Sequence, residues 1–315
     1  MNRKPIITSI KTYYLTFSEK MLFKKEKPWG IILFKRNIRS FKQVKSLTKE
    51  IRMIFNDPYF PVMIDEEGGS VSRLSDLINS KELSQVFFGN LYKKNKKNGK
   101  KIYQYYLNSI CSVLREVGIN INTIPVLDIL QKKTTKILKD RCFSPNKNDV
   151  KILGNLCIDT LKQNKIGSVS KHIPGHGSTN IDSHKAVPVV LDSHKKLELV
   201  DFSPFKNINS NFVMTAHVLF KKIDPNFVAT QSRIIINRII RKKLNFKGLI
   251  ISDDICMKAL KGDLLLNAKK CLLSGCNLVL YCGGNTKHSS LLLKGINKID
   301  KFTVKKTQQF YEFLR

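Results

Sequence analysis

The sequence predicts an α/β protein built as a single (β/α)8 barrel of the TIM type. Eight short apolar runs rich in β-branched residues recur along the 315 residues, and stretches with helical spacing lie between most of them. Charged and polar residues follow the ends of several runs, at the edge where such barrels place their active sites. No glycine-rich hinge or low-complexity linker interrupts the chain, so residues 1–315 are interpreted as one domain.

The eight apolar runs are the predicted barrel strands. They span 5–10, 29–34, 60–65, 121–129, 166–170, 211–218, 246–253 and 276–281. Helical spacing of apolar residues predicts helices over 102–117, 150–163, 232–244 and 262–273. The gap between the first two runs is short, so the sequence leaves the order of the barrel open there.

The composition limits the class of protein. Hydrophobic residues make up 42% of the chain, enough for a large core, yet no apolar run reaches the ~18–20 residues needed to cross a bilayer. Polar side chains interrupt the first residues where a signal peptide needs a continuous apolar centre, so we expect a cytoplasmic protein with no membrane partner. The seven cysteines are scattered without a C-x-x-C pair, which favours reduced thiols over a disulfide framework or a zinc knuckle.

The net charge is +32, from 56 Lys and Arg against 24 Asp and Glu, and such a charge is typical of nucleic-acid-binding proteins. The lysines, however, are spread over the whole chain, with the densest group at 93–101, and no recognised RNA- or DNA-binding signature is present. We interpret the charge as a property of solvated surfaces and expect no specific nucleic-acid partner. A basic nucleic-acid-binding protein is kept as an alternative function.

The segment 171–188, KHIPGHGSTNIDSHKAVP, carries the strongest chemical signal in the chain. Three histidines, an aspartate and two lysines lie close together in it, and burying such groups without partners would cost roughly several kcal/mol each. The segment follows the predicted strand 166–170, and Pro174 with Gly175 prevents a helix from starting directly after that strand. We therefore predict an active-site loop.

Polar residues at the ends of five predicted strands indicate a site at the same edge of the barrel. They are Asp65, Asp128, Lys171 with His172, His217, and Asp253 with Asp254. His217 lies alone on an apolar strand and is interpreted as a hydrogen-bonded core histidine. Asp253 and Asp254 have a competing interpretation as the N-cap of a following helix, and Arg73 and Arg141 have one as surface ion pairs.

Seven motifs occur in order between about Trp29 and Gly284: GIILFKRNI, IDEEGGSVSR, IPVLDI, KDRCF, KHIPGHGSTNIDSH, MTAHV and ISDDICM. With these motifs in this order, the chain resembles the bacterial β-N-acetylhexosaminidases of glycoside hydrolase family 3, which are cytoplasmic enzymes of peptidoglycan recycling. The resemblance implies a catalytic (β/α)8 barrel, a reaction that retains anomeric configuration, and no metal or other cofactor. The implied substrate is N-acetylglucosamine β-1,4-linked to 1,6-anhydro-N-acetylmuramic acid, with or without its peptide, and we expect a monomer.

The resemblance also implies roles for individual residues. Asp253, the first acid of the SDD motif, would be the nucleophile, and His184 would be the general acid/base, paired with Asp182. Two positions depart from the family pattern, since Ser70 stands where an arginine is familiar and Cys142 where serine is common. The residues expected to hold the hydroxyl groups of the N-acetylglucosamine ring are Asp65, Arg73, Arg141, Lys171 and His172.

The implied roles agree with the chemistry of these residue types. A retaining glycosidase needs a carboxylate that attacks the anomeric carbon, and a second group that protonates the departing oxygen and later deprotonates water. A histidine with a pKa near ~6.5 can be that second group, and a carboxylate on its other nitrogen fixes its tautomer. Asp182 and His184 would point the same way if their segment is extended.

A metal-dependent hydrolase is the other alternative. Its candidate ligands are His172, His176, Asp182 and His184. Histidines at i and i+4 converge most readily on one face of a helix, and the Pro-Gly pair between the first two disfavours a helix. The spacing therefore disfavours this alternative.

Overall fold

Eight parallel strands close a barrel in the computed structural model, which describes residues 2–183 and 185–315. Each strand pairs with the next along the chain, and the first also pairs with the last. The strands are β1 Lys4–Ser9, β2 Pro28–Leu33, β3 Val62–Ile64, β4 Ile121–Asn122, β5 Gly167–Ile173, β6 Phe212–Thr215, β7 Leu249–Asp254 and β8 Leu278–Tyr281. The predicted fold class is confirmed.

The first strand, whose place the sequence left open, closes the barrel: Ile7 of β1 pairs with Gly30 of β2 on one side and with Leu280 of β8 on the other. β5 continues past Ser170, so the first residues of the predicted active-site loop lie on a strand instead. β4 is shorter than predicted, because its run continues into Pro125, which has no N–H to donate to a ladder.

Strand residues alternate between two packed layers. Side chains such as Ile7, Ile32 and Met63 belong to one core cluster, while their neighbours Ile6 and Ile31 belong to a larger cluster shared with the helices. Successive strand residues point to opposite faces, so the first cluster fills the barrel and the second seals it against the helical layer.

Nine α-helices and one π-helix surround the barrel within the described ranges. The α-helices are α1 Phe17–Glu26, α2 Phe41–Phe55, α3 Gln85–Lys94, α4 Lys96–Glu116, α5 Lys147–Gln163, α6 His194–Leu199, α7 Leu264–Ser274, α8 Thr286–Gly295 and α9 Lys301–Leu314. The predicted helix 232–244 is the π-helix Ile235–Lys243. Of the helices described, none has the length and apolar character to span a membrane.

Two short sheets shape the C-terminal face of the barrel. An antiparallel hairpin of Glu66–Gly68 and Val71–Ser72 follows β3 and carries the DEEGG sequence. Val189–Val190 pairs in parallel with Leu219–Phe220, which ties the end of the segment 171–188 to the connection after β6. Both sheets hold loops in place over the strand ends.

Candidate active site

A cavity of about 360 Å³ opens at the C-terminal ends of the strands, and we call it the catalytic cavity. Seven of the eight site residues that the sequence predicts line it, and the eighth, His184, lies outside the described residues. The seven are Asp65, Arg73, Arg141, Lys171, His172, Asp182 and Asp253. They come from β5, β7 and the loops after other strands, so residues far apart in sequence meet in one pocket.

A buried network of charges forms one wall of the catalytic cavity. The Lys171 ammonium contacts Glu67 Oε1 at 2.6 Å, Asp65 Oδ1 at 3.2 Å and Thr123 Oγ1 at 2.7 Å. The Arg141 guanidinium donates to both oxygens of Glu67, at 2.8 and 2.9 Å. Lys171 therefore bridges the two carboxylates, and Arg141 binds Glu67. Each carboxylate is fixed by more than one donor.

The pKa values in this network follow from its charges. Burial alone would raise the pKa of Asp65, but the nearby Lys171 and Arg73 cations hold it below the usual value. For Glu67, burial is likewise outweighed by Arg141 and Lys171, and its pKa is also lowered. Both acids are therefore ionised at neutral pH and accept hydrogen bonds.

Arg141 is not the surface ion pair of the competing interpretation, which is wrong for this residue. Its side chain is 11% exposed and that of Glu67 is 1% exposed, so the pair is buried. Arg73 is more open, at 28%, and its Nη2 lies 3.5 Å from Asp65 Oδ2. Glu66 holds the Arg73 backbone, because its Oε2 accepts from the amides of Arg73 and Leu74 at 2.7 and 2.8 Å.

A second cluster orients His172. The Asp128 carboxylate is fully buried and lies 2.7 Å from His172 Nδ1, and its other oxygen accepts the His176 backbone amide at 2.7 Å. A proton on Nδ1 of His172 is donated to the Asp128 carboxylate. The other ring nitrogen, Nε2, lies 3.4 Å from Arg141 Nη2. Burial lowers the pKa of His176 to about 4, so this neighbour is neutral at pH 7.

The two acids at the end of β7 have different surroundings. Asp253 Oδ1 accepts the Asp254 amide at 2.8 Å; burial raises its pKa, but His172 and His217 outweigh this and leave the pKa lowered. Burial raises the pKa of Asp254, whose Oδ1 accepts the amides of Cys256 and Cys282, each at 3.1 Å. The environments push the two pKa values apart, and Asp253 is the one kept as a carboxylate.

The helix-cap interpretation of this acid pair is wrong. The next helix, α7, starts only at Leu264 and is capped by Asp263, while Asp254 joins the end of β7 to the residue after β8. His217 has both ring nitrogens occupied, with Thr230 Oγ1 at 2.7 Å and the Asp254 carbonyl at 3.0 Å. It is a hydrogen-bonded core histidine, as predicted.

Asp182 lies at the edge of the catalytic cavity and is half-buried. The amides of Lys185 and Ala186 donate to its backbone carbonyl at 2.9 and 3.2 Å, so the chain turns after Asp182. The extended conformation assumed for residues 182–184 includes His184, which lies outside the described residues, so that assumption is not tested. The pairing of Asp182 with His184 stays a prediction.

Sequence reasoning missed the groups that hold the predicted residues in place. Glu67 was seen only as part of the DEEGG motif, and Asp128 was noted at a strand end but given no role. Glu66 was likewise seen only as part of that motif, and Thr123 carried no signal at all. The clearest available signal was the run of three acids at 65–67 next to a basic strand end, because three adjacent carboxylates need cations nearby.

The metal alternative finds no support in this geometry. Within residues 2–183 and 185–315, no group of three or more His, Cys, Asp or Glu side chains is arranged to hold a metal ion. Nδ1 of His172 is engaged by Asp128, and Nδ1 of His176 lies 2.8 Å from Thr179 Oγ1.

A closed parallel barrel with ionised acids, buried cations and an oriented histidine around a sugar-sized cavity is the architecture of a barrel glycosidase. Residues 15–309 match the model of the glycosyl hydrolase family 3 N-terminal domain. The chain belongs to this family, and it is a glycosidase of the β-N-acetylhexosaminidase type. The resemblance stated from the motifs is confirmed.

Similar proteins agree on the family. The β-hexosaminidase of Psychromonas ingrahamii is 31% identical over 319 residues, covering 98% of this chain and 89% of that protein. NagZ from Neisseria gonorrhoeae, solved in complex with N-trifluoroacetyl-D-glucosamine, superposes with a TM-score of 0.88 at 27% identity, covering 100% of this chain and 91% of that one. A Paenibacillus family 3 β-N-acetylglucosaminidase has the same fold, with a TM-score of 0.89 at 24% identity, and this chain spans 61% of it.

Proposed function

We propose that the protein is a retaining exo-β-N-acetylglucosaminidase that releases terminal N-acetylglucosamine from peptidoglycan fragments. The proposed substrate is N-acetylglucosamine joined to 1,6-anhydro-N-acetylmuramic acid, with or without its peptide. The observation that carries the proposal is the position of the ionised Asp253 in one small cavity with the Asp65, Lys171 and Arg141 network. A cavity of about 360 Å³ suits one sugar ring better than a polymer, which favours exo action.

Asp253 is the proposed nucleophile. Its Oδ1 is held by the Asp254 amide, which leaves Oδ2 for attack on the anomeric carbon. A lowered pKa keeps the attacking group ionised, and the covalent glycosyl-enzyme that results requires a second step with water.

His184 is the proposed general acid/base. It would give a proton to the departing oxygen in the first step and remove one from water in the second. The half-buried Asp182 at the cavity edge supports this, because a carboxylate there can stabilise the imidazolium that gives up its proton in the first step and forms again in the second.

The remaining residues are proposed to hold the sugar ring. Ionised Asp65 accepts hydrogen bonds from hydroxyl groups, while Arg73, Arg141 and Lys171 donate them, and His172 presents Nε2 with its tautomer set by Asp128. Charged groups that are already paired need little rearrangement when a neutral sugar binds.

We further propose that residues 1–315 act as one catalytic domain, as a monomer in the cytoplasm and without a cofactor. Both ends of the chain contribute to the same barrel, because β1 pairs with β8 and Arg3 donates to the hydroxyl of Tyr311 in α9 at 2.7 Å. This supports one folding unit. The location and the monomeric state rest on the family resemblance.

Two substrates and a product analysis test the proposal. The purified protein should hydrolyse both 4-nitrophenyl N-acetyl-β-glucosaminide and the anhydro-muramic disaccharide, and proton NMR should show β-N-acetylglucosamine as the first product. Activity should also survive exhaustive chelation, since side chains fill every role. An α first product, or activity that returns only with added zinc, would contradict the mechanism; zinc matters because the Neisseria NagZ has also been solved with a zinc ion.

A further inference from the structure

A cavity of about 890 Å³ lies where the loops after β1, β2 and β8 meet, and we call it the basic cavity. Its lining contains three cationic side chains, those of Lys11, Arg36 and Lys287. In the described part of the chain it has no acidic lining residue, and it shares none of its lining with the catalytic cavity. A concave surface lined by one sign of charge concentrates ligands of the opposite sign.

Arg36 is held in the basic cavity by neutral oxygens. Its Nη2 donates to Ser9 Oγ and to the Cys282 carbonyl, both at 2.7 Å, and its Nε donates to the Ile10 carbonyl at 3.2 Å. A guanidinium has five N–H donors, and the two on Nη1 have no partner among the residues that the structure describes. These two donors are therefore available to a ligand while the rest of the group is fixed.

The three cations are not neutralised by the protein. Across residues 2–183 and 185–315, none of them forms an ion pair. Glu19 of α1 is 1% exposed and faces inward, because its Oε1 accepts the Lys11 amide and its Oε2 accepts the Thr16 amide, each at 2.9 Å. An anion bound between the cations would therefore reduce their mutual repulsion.

The chain makes room for the arginine at Gly284. A Cβ there would lie 2.9 Å from Arg36 Nη2 and 3.0 Å from the Ile10 carbonyl, and the backbone φ of +67° also disfavours a side chain. The amides at the start of α8 are not what makes the site, because the Asn285 side chain already accepts from those of Lys287 and His288. The positive surface is made by side chains.

The lining indicates which anion fits. Hydroxyl groups of Ser18, Thr286 and Ser290 line the basic cavity beside the cations, and hydroxyl groups donate hydrogen bonds to oxyanions. A carboxylate would neutralise one of the three charges, whereas a phosphate group carries close to two negative charges at neutral pH and three acceptor oxygens. The volume is in the range of sites that hold a whole small molecule, so a phosphate can carry an organic group here.

We propose that the basic cavity binds a phosphate dianion, either free or as the phosphate group of a small molecule, through Arg36 Nη1, Lys11 and Lys287. The inference is independent of the proposed function, because it uses no residue of the catalytic cavity. A phosphate in this position would join the loops after three strands of the barrel and stabilise the folded state.

The test titrates three probes into matched variants by calorimetry, at constant ionic strength kept with sodium chloride. The probes are inorganic phosphate, phenyl phosphate and benzoate. Lys11→Gln/Lys287→Gln removes two charges of the basic cavity, and Lys96→Gln/Lys97→Gln removes two at the start of α4, outside its lining. All four lysines are exposed, so both variants should fold.

We expect the wild-type protein to bind one inorganic phosphate with a Kd on the order of 1 mM or below. The cavity variant should weaken this binding roughly tenfold or more, and the control variant should stay within about twofold. Benzoate should bind at least about tenfold more weakly than phenyl phosphate. Tighter binding of phenyl phosphate than of inorganic phosphate would identify the ligand as a phosphomonoester, and the reverse order would identify it as free phosphate.

Phosphate binding that is unchanged in the cavity variant, or weakened equally in both variants, would overturn the site. Benzoate that binds as tightly as phenyl phosphate would overturn the choice of a dianion. Phosphate that competes with 4-nitrophenyl N-acetyl-β-glucosaminide would place the anion in the catalytic cavity and would also overturn the site. Failure of that substrate to react, with phosphate binding intact, would overturn the proposed function alone.

Discussion

Two adjacent carboxylates at the end of β7 differ because of what surrounds them. Asp253 has a lowered pKa next to two histidines, whereas Asp254 has a pKa raised by burial and accepts two backbone amides. A retaining enzyme should therefore form its covalent adduct on Asp253. An N-acetylglucosamine derivative with fluorine at C5 and an activated leaving group slows both steps, while the leaving group rescues only the first, so the adduct should accumulate.

Peptide mapping of the trapped enzyme should place the sugar on Asp253. Asp253→Ala should lose turnover by roughly 10³-fold or more with little change in stability. Asp254→Ala should destabilise the fold by about 1 kcal/mol, because two backbone amides, one of them part-buried, lose their acceptor. A sugar found on Asp254 or Asp65 would show that the assignment is wrong.

The Asp128–His172 pair gives a second prediction at the residue scale. Asn cannot accept on both sides as the carboxylate does, so Asp128→Asn sets a donor against either the His176 amide or the His172 ring. We expect kcat/KM to fall about 10- to 100-fold, the range known for carboxylates that orient metal-binding histidines, applied here to a histidine that contacts the sugar. Asp159→Asn on the exposed face of α5 is the matched control. If kcat/KM fell no more in Asp128→Asn than in the control variant, Asp128 would not be a positioning residue for His172.

At the scale of elements, apolar patterning was sufficient to predict all eight strands, because burial on both faces demands continuous β-branched runs. Patterning could not show that β5 continues through Lys171 and His172, since polar residues normally end such a run. It also left Arg141 open to interpretation as a surface ion pair, because the partner of this buried arginine, Glu67, is distant in sequence. Roles could be assigned to the site residues only by resemblance. The groups that hold these residues in place could be identified only from the three-dimensional structure.

The loop after β5 is held by hydrogen bonds to a buried acid, Asp201, which the sequence did not reveal. Asp201 accepts from Ser178 Oγ at 2.7 Å and from Gln131 Nε2 at 3.0 Å, and it is 2% exposed. Burial raises its pKa to about 6, a shift that its two hydrogen bonds only partly offset. Near neutral pH the buried, ionised Asp201 therefore reduces the free energy of unfolding. Its hydrogen bonds nevertheless fix the loop that carries Asp182.

The sign of the pH effect follows from the raised pKa of Asp201. The folded state binds more protons than the unfolded state between about pH 4 and pH 6, so this group makes the protein less stable as pH rises through that window. Asp201→Asn keeps both hydrogen bonds possible and removes the titration. Its stability relative to wild type should improve by on the order of 2 kcal/mol from pH 4.5 to pH 7.5, measured by urea unfolding. A difference that does not vary with pH would contradict the assigned cause.

At the scale of the whole molecule, the charge of +32 comes from lysines and arginines spread along the entire sequence. The densest group, at 93–101, lies where α3 meets α4, and none of its residues lines the catalytic cavity. A polyanion attracted to this surface should therefore leave the site open. The charge and the catalytic site are separate features of the same fold.

RNA binding tests that separation. A single-stranded RNA oligonucleotide should bind weakly at physiological salt, and the logarithm of its affinity should fall linearly with the logarithm of salt concentration, because binding releases counterions. Scrambling its sequence should not change the affinity, and saturating RNA should not change turnover of the uncharged chromogenic glucosaminide. Fluorescence anisotropy with the RNA and a parallel assay with the glucosaminide measure both quantities. Sequence-selective binding that persists at high salt would show instead that the basic surface is a recognition site, because only contacts with the bases survive the screening of phosphate charges.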